Sequence, residues 1–248
     1  MKNSFLRDVA AALVDLYAPR GCIVCGRRLG MREKHLCIYC MADFPLTFYW
    51  LRTRNPMADE FNVRAAEHEK RYAFAAALFF YRSEAGYKYI PQALKYEYDR
   101  GAGRFFAARL GRLLASSEAF GDVDAVIPVP LHWTRKWGRG YNQACVIASA
   151  IAAELSAPMR QDVLVRCRRT VSQTRLGTED KIKNVSSAFR VRKRAVKKLA
   201  DMRPRHVLLV DDVFTTGATL GACHRALRAV LPPAVRISAA TLAVVDAS

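Results

Sequence analysis

The stretch His206-Val-Leu-Leu-Val-Asp-Asp-Val-Phe-Thr-Thr-Gly-Ala-Thr-Leu220 decides the fold class of this chain. Residues 206–210 form a short apolar run, β-branched in part and not alternating, which predicts a buried strand of a parallel sheet. Thr215 to Thr219 turn the chain, and the spacing of Leu220, Cys223, Leu227 and Val230 predicts a helix after the turn. Open parallel sheets bind ligands just beyond the carboxyl ends of their strands, where Asp211 and Asp212 are expected. The turn aims backbone N–H groups and the positive end of a helix dipole at an anion, naturally a phosphate. Gly217 allows a close backbone approach, and the hydroxyls of Thr215, Thr216 and Thr219 add donors. Two carboxylates beside such a cradle suit the neighbouring hydroxyls of a ribose 5-phosphate. A plain strand-turn-helix junction, with Asp and Thr only capping the helix, needs one such residue where this turn supplies five polar ones.

The chain has 248 residues, which predicts one or two domains with ample material for a core. Forty Lys and Arg stand against 22 Asp and Glu, a formal net charge of +18. That excess favours polyanions: nucleic acid, phosphorylated metabolites or an anionic membrane surface. No stretch reads as a transmembrane span. Met1–Ala18 lacks the apolar core of a secretory signal, because Arg7, Asp8 and Asp15 interrupt it. Its Phe5, Leu6, Val9, Leu13, Leu16 and Tyr17 fit one face of an amphipathic helix docked on the protein's own core. A cytoplasmic location is the expectation.

Four of the seven cysteines form Cys22-x-x-Cys25 and Cys37-x-x-Cys40, with eleven residues between the pairs. Each pair bites a metal from one tight knuckle, and two knuckles complete a tetrahedral thiolate site. Four sulfur ligands leave no open position, so a zinc ion there is structural rather than catalytic. Disulfides or a redox pair are the alternatives for a chain outside the cytosol. Cys145, Cys167 and Cys223 read as packing residues.

The expected organisation is an N-terminal helix and four-cysteine module over 1–45, a connector over 46–72 and an α/β domain over 73–248. Strands are predicted at Ala73–Tyr81, Val123–Val129, Val163–Cys167, Ala188–Val191 and Val235–Val244, besides 206–210. Tyr87 to Ser116 reads as largely helical, interrupted at Asp99-Arg-Gly-Ala-Gly103, and Tyr141–Leu155 as a further helix. Leu131–Gly140 is a basic loop. Residues 168–187 are polar and lack apolar period, as in a loop over a site. Lys193–Arg205 is a basic stretch. Alternating strands and helices imply an α/β sheet.

Further segments carry a resemblance to a known family. His132-x-x-Arg135-x-x-x-Arg139-Gly-Tyr-Asn142-Gln143 follows the second strand, and Gln173-x-x-Leu176 continues through Lys181, Asn184 and Ala188-Phe189. With the cysteine module and the 210–219 motif, these resemble the ComF family, with its ComFC- and GntX-like members. The resemblance covers most of the chain from Cys22 onward. Lys181 stands where the family usually has arginine, a point charge in place of a bidentate fork. The resemblance implies a type I phosphoribosyltransferase-like parallel sheet flanked by helices, a small zinc-ribbon-like module before it, and a link to uptake of transforming DNA.

Such a domain would take phosphoribosyl diphosphate with Mg²⁺, the metal bridging diphosphate and ribose oxygens. Asp211 and Asp212 would accept from the ribose hydroxyls, directly or through metal-bound water. Thr215, Thr216, Gly217, Ala218 and Thr219 would hold the 5-phosphate. Arg135 and Arg139 would neutralise the diphosphate as the glycosidic bond loosens. Residues 168–187 would close to exclude water. The competing readings make His132 a structural hydrogen-bonding residue, Asn142 and Gln143 a helix start, and Trp133 and Trp137 loop packing.

A second class of function is single-stranded DNA binding, which needs cations for phosphates and aromatic faces for bases. Candidate cations are Arg27, Arg28 and Arg32 on the cysteine module, Arg166, Arg168 and Arg169, and Arg192, Lys193, Arg194, Lys197 and Lys198. Tyr87, Tyr89, Tyr96 and Tyr98 interleave with Lys88 and Lys95. A third class is a non-catalytic adaptor that keeps the ribose-phosphate pocket and docks a competence helicase or channel component.

Overall fold

The computed structural model describes residues 19–66, 72–82, 86–94, 99–131, 141–167 and 188–245. In chain order these hold helix α1 (Ile38–Ala42), helix α2 (Pro56–Ala65) and strand β1 (Ala75–Tyr81). Helix α3 (Arg100–Ala115), strand β2 (Ala125–Pro128), helix α4 (Gln143–Glu154) and strands β3 (Leu164–Arg166) and β4 (Phe189–Val191) follow. Helix α5 (Lys193–Met202), strand β5 (His206–Phe214), helix α6 (Ala218–Arg228) and strand β6 (Arg236–Val245) complete them. Four strands form a parallel sheet in the order β1-β6-β5-β2, and β3 pairs with β4 antiparallel.

The central strands are apolar because both faces are covered. Val207 to Val210 are wholly buried, as are Leu78, Phe79 and Ile127 in neighbouring strands. On α3, Phe106, Leu110 and Leu114 recur at helical spacing and are fully buried, the pattern of a helix laid on a sheet. Its N-terminus is capped by Asp99, whose carboxylate accepts from the Ala102 amide at 2.8 Å. A short helix at Tyr89–Gln92 is thus separate from α3; the expected interruption falls at Asp99, and Gly101 and Gly103 lie in the first turn of α3. The basic stretch after β4 folds as α5, which buries Ala195 and Leu199.

Residues 45–66, read as a connector, are built into the α/β domain. Phe80 donates its amide to Pro45 at 2.9 Å, and the Thr47 hydroxyl donates to the Ala77 carbonyl at 2.5 Å, so this segment lines the outer edge of β1. Asn55 caps α2 by accepting from Ala58, while its amide donates to the Ala75 carbonyl at 2.9 Å. Helix α2 then packs across α6. A Cβ at Gly221 would meet the Arg64 backbone at 2.7 Å, so only glycine admits that crossing.

The cysteine module docks on the same body. The Tyr87 hydroxyl donates to the carbonyls of Cys40 at 3.0 Å and Asp43 at 2.9 Å. Arg109 of α3 lies over the Phe44 ring at 5.3 Å.

Candidate functional site

The sequence predicts that β5 ends at Val210; it runs on to Phe214 instead. Its register with β6 continues through Asp211 opposite Thr241, Val213 opposite Ala243 and Phe214 opposite Val244, so pairing carries the strand past the carboxylates. On the other side β2 stops earlier, its last residue Pro128 lying opposite Val210. Beyond that point β5 is flanked by β6 alone among the described residues. The carboxyl ends of strands are where open parallel sheets bind ligands.

Asp211 and Asp212 are half-buried in this part of β5. Each carboxylate accepts from the next amide: Asp211 from Asp212 N–H at 2.9 Å, Asp212 from Val213 N–H at 2.8 Å. As consecutive strand residues they leave opposite faces of the sheet. Burial first, then the Asp211 charge, push the wholly buried Cys223 thiol of α6 well above its ordinary range.

Past Phe214 the chain bends through exposed Thr215 and Thr216 to Gly217, which has φ of 66° and is the N-cap of α6. A non-glycine residue is strained at that angle, and a Cβ there would meet the Phe214 ring at 2.7 Å. Among the described residues no side chain caps α6. The first-turn amides of Ala218 and Thr219 therefore keep the donors that an anion takes at a helix start.

Two segments expected to border the site lie outside the described residues: the loop carrying His132, Trp133, Arg135, Trp137 and Arg139, and the polar loop carrying Gln173, Leu176, Lys181 and Asn184. Lys95, Tyr96, Tyr98, Arg168 and Arg169 do also. Their flanking residues are described. Val129 donates to the Val210 carbonyl at 2.8 Å, and the Asn142 amide donates to the Val129 carbonyl at 2.9 Å. Both ends of the basic loop are thus fastened together one residue from Asp211. Asn142 also caps α4, its side chain accepting from Ala144 at 3.1 Å. Gln143 is buried, and its Nε2 has no hydrogen-bond partner among the described residues. Cys167 donates to the Ala188 carbonyl at 2.7 Å and closes the base of the polar loop.

The four cysteines come together. Their sulfur atoms all lie within 4.8 Å of one another, with Cys25 and Cys37 at 3.7 Å. Zinc–sulfur bonds of about 2.3 Å in a tetrahedron place sulfurs about 3.8 Å apart, so the donor set fits a structural zinc ion rather than a disulfide. Burial opposes ionisation of Cys22. Amide donors from Cys37, Cys25 and Val24 outweigh it and bring its pKa down to about 7, while burial pushes Cys40 up.

Among the residues read as DNA-binding, Arg27, Arg28, Arg32, Arg192, Lys193, Arg194, Lys197 and Lys198 are exposed. At 100° per residue, Lys193, Arg194, Lys197 and Lys198 fall within an arc of about 140° on α5. Arg166 is half-buried against the Phe189 ring at 5.2 Å. Tyr87 is corrected: it is buried, and its hydroxyl braces the cysteine module, so it offers no stacking face. Tyr89 is exposed, with Lys88 Nζ at 5.5 Å from its ring. One aromatic escaped the sequence reading. Tyr39 is 64% exposed with the Arg27 guanidinium 4.3 Å over its ring. Its place inside the second Cys-x-x-Cys knuckle was the available signal, since two inward ligands turn the residues between them outward. No helix among the described residues is long and apolar enough to cross a membrane.

The phosphoribosyl transferase domain family matches residues 142–246, a span that holds the carboxylates and the turn. The chain is 39% identical over 105 residues to competence protein F of Haemophilus influenzae, a match covering 42% of this chain and 44% of that protein. It is 32% identical over 97 residues to DNA utilization protein YhgH of Escherichia coli O157:H7, covering 39% and 40%. The match to the Salmonella typhi protein of that name is 31% identical over 97 residues. These alignments span less than half of each relative. Residues 142–246 thus match the phosphoribosyl transferase domain family, and the chain is similar to competence protein F and to the DNA utilization proteins YhgH, in keeping with the ComF resemblance.

Proposed function

We propose that this chain binds phosphoribosyl diphosphate, or a related ribose 5-phosphate, with Mg²⁺ at the carboxyl end of β5, and acts on single-stranded DNA during DNA uptake. The observation that carries the first half is the one-sided end of β5. Two carboxylates there are followed five residues after Asp212 by the N-cap of a helix with no side-chain cap among the described residues, inside the matched domain. In this reading Asp211 and Asp212 hold the ribose diol, and the backbone of Thr215 to Thr219 holds the 5-phosphate. Arg135 and Arg139, on a loop fastened beside Asp211, meet the diphosphate. Titration calorimetry with phosphoribosyl diphosphate and Mg²⁺ tests it. Heat is expected with wild type and none with the Asp211→Asn/Asp212→Asn protein, and equal affinities would remove the site.

The second half is supported by the relatives' names and by the basic surfaces of the cysteine module and α5. Exposed Arg27 and Tyr39 pair a cation with an aromatic face, the combination that holds unpaired nucleic acid. The zinc ion in this reading is a structural brace for that surface.

A catalytic reading of the same pocket is phosphoribosyl transfer in nucleotide metabolism, which predicts pyrophosphate release when an acceptor is supplied. Binding without release across nucleobase acceptors identifies a binding module or an adaptor to a competence helicase or channel component.

A further inference from the structure

The bend after β5 is held from outside by a residue far away in sequence. Arg64, in the last turn of α2, donates from Nε to the Thr216 carbonyl at 3.1 Å, across 152 residues. Its Nη2 meets Glu60 Oε1 at 2.5 Å, one helical turn back. Its own carbonyl accepts from Arg225 of α6, and its backbone crosses α6 at Gly221. Arg64 is thus fixed at both backbone and guanidinium.

We propose that Arg64 is a positioning residue that sets the peptide plane between Thr216 and Gly217 so that the bend presents an N–H to an anion. This rests on the reading of the bend as a phosphate site. The described residues contain no cis peptide bond, so the carbonyl and the N–H of this unit point in opposite directions. With the Thr216 carbonyl held towards α2, the Gly217 N–H faces away from α2. It joins the amides of Ala218 and Thr219 at the start of α6.

The need for such a clamp follows from Gly217 itself. Its φ of 66° requires glycine, and glycine lets the preceding peptide rotate between two turn geometries at low cost. In the rotated geometry the Thr216 carbonyl would point into the bend, and its lone pairs would repel a phosphate oxygen. Arg64 selects the receptive orientation. Glu60 balances its charge, so it acts through hydrogen-bond geometry more than through its field.

The test is calorimetry of ribose 5-phosphate and of phosphoribosyl diphosphate with Mg²⁺, on wild type, Arg64→Ala, Arg64→Gln and Arg64→Lys. It is combined with the amide shift of Gly217 on titration with inorganic phosphate. If removing the clamp leaves the receptive orientation in about 1–10% of molecules, affinity falls ten- to hundredfold in Arg64→Ala. Arg64→Gln, a neutral donor, is expected to recover most of that loss. The Gly217 amide should respond to phosphate in wild type and Arg64→Gln but not in Arg64→Ala. Wild-type affinity in Arg64→Ala overturns the proposal, as does rescue by Lys but not by Gln, which would make the charge the active feature. A lower melting temperature with an unchanged Gly217 response would mark a purely structural contact and also overturn it. Failure of wild type to bind either ligand removes the ribose-phosphate reading itself, a different outcome from intact binding that ignores Arg64.

Discussion

The amide of Val129 donates to the carbonyl of Val210 at 2.8 Å, and there β2 parts from β5. Pro128 brings β2 to its close, while β5 continues four residues beside β6. A longer β2 would cover the edge of Asp211 and Asp212. The two parallel neighbours of β5 stop at different heights.

Strand alternation makes the two carboxylates unequal. The charge of Asp211 bears on the buried Cys223 thiol of α6, and strand alternation puts Asp212 on the opposite face of the sheet. Asp211→Asn alone is expected to weaken phosphoribosyl diphosphate binding more than Asp212→Asn alone, by about tenfold or more. Calorimetry on the two single variants checks it, and the opposite ranking would reverse the assigned facing.

Metal binding should be one ion per chain. Cys37 is the most buried of the four cysteines, and Cys37→Ser is expected to abolish stoichiometric zinc measured by elemental mass spectrometry. Metal ligation contributes about 10–16 kcal/mol to small zinc peptides, so the local consequence should be large. Amides of 20–42 should lose hydrogen-exchange protection, while β5 and β6 keep theirs. Full zinc occupancy in the variant would contradict the four-sulfur site.

Binding to a fluorescent oligothymidine should fall steeply with salt, since each neutralised phosphate on a single strand contributes a log–log slope of about −0.7. Arg27→Ala/Arg28→Ala should flatten that slope. Tyr39→Ala should lower affinity by about 1–3 kcal/mol per stacked base and leave the slope unchanged. A slope indifferent to salt in wild type would argue against a DNA surface.

His224 predicts an acid sensitivity. Burial, with Arg228 and Arg225 nearby, pushes its pKa down to about 3 from an ordinary value of 6.5. Below 6.5 the unfolded chain takes up the proton that the folded chain refuses, so stability is lost as pH falls from 6.5 towards 3. At pH 5 that amounts to roughly 2 kcal/mol. Denaturant midpoints at pH 7.5 and 5.0 should therefore differ more in wild type than in His224→Leu. Equal differences in the two proteins would refute the account.

The elements that bear the site were legible because their causes are local. The apolar run 206–210, the glycine turn and the helical spacing of Leu220, Cys223 and Leu227 each reflect constraints acting within a few residues. The Cys-x-x-Cys pairs similarly encode a knuckle geometry that chain stiffness alone enforces. The end of β5 was misjudged because Asp211 and Asp212 interrupt an apolar run. What extends the strand is its register with β6, some thirty residues away. Tyr87, read as a face for bases, is instead bonded to carbonyls 47 and 44 residues earlier.

Local sequence determined that this chain makes a parallel-sheet strand bearing two acids, a glycine bend that starts a helix and a four-sulfur cluster. Each needs only short-range sterics, periodicity and ligand spacing. The tertiary structure decided where β2 stops beside β5, which aromatic stays exposed, and that Arg64 of a plain-looking connector reaches Thr216. Those outcomes depend on which distant segments pack together, and no periodicity within a single segment encodes that.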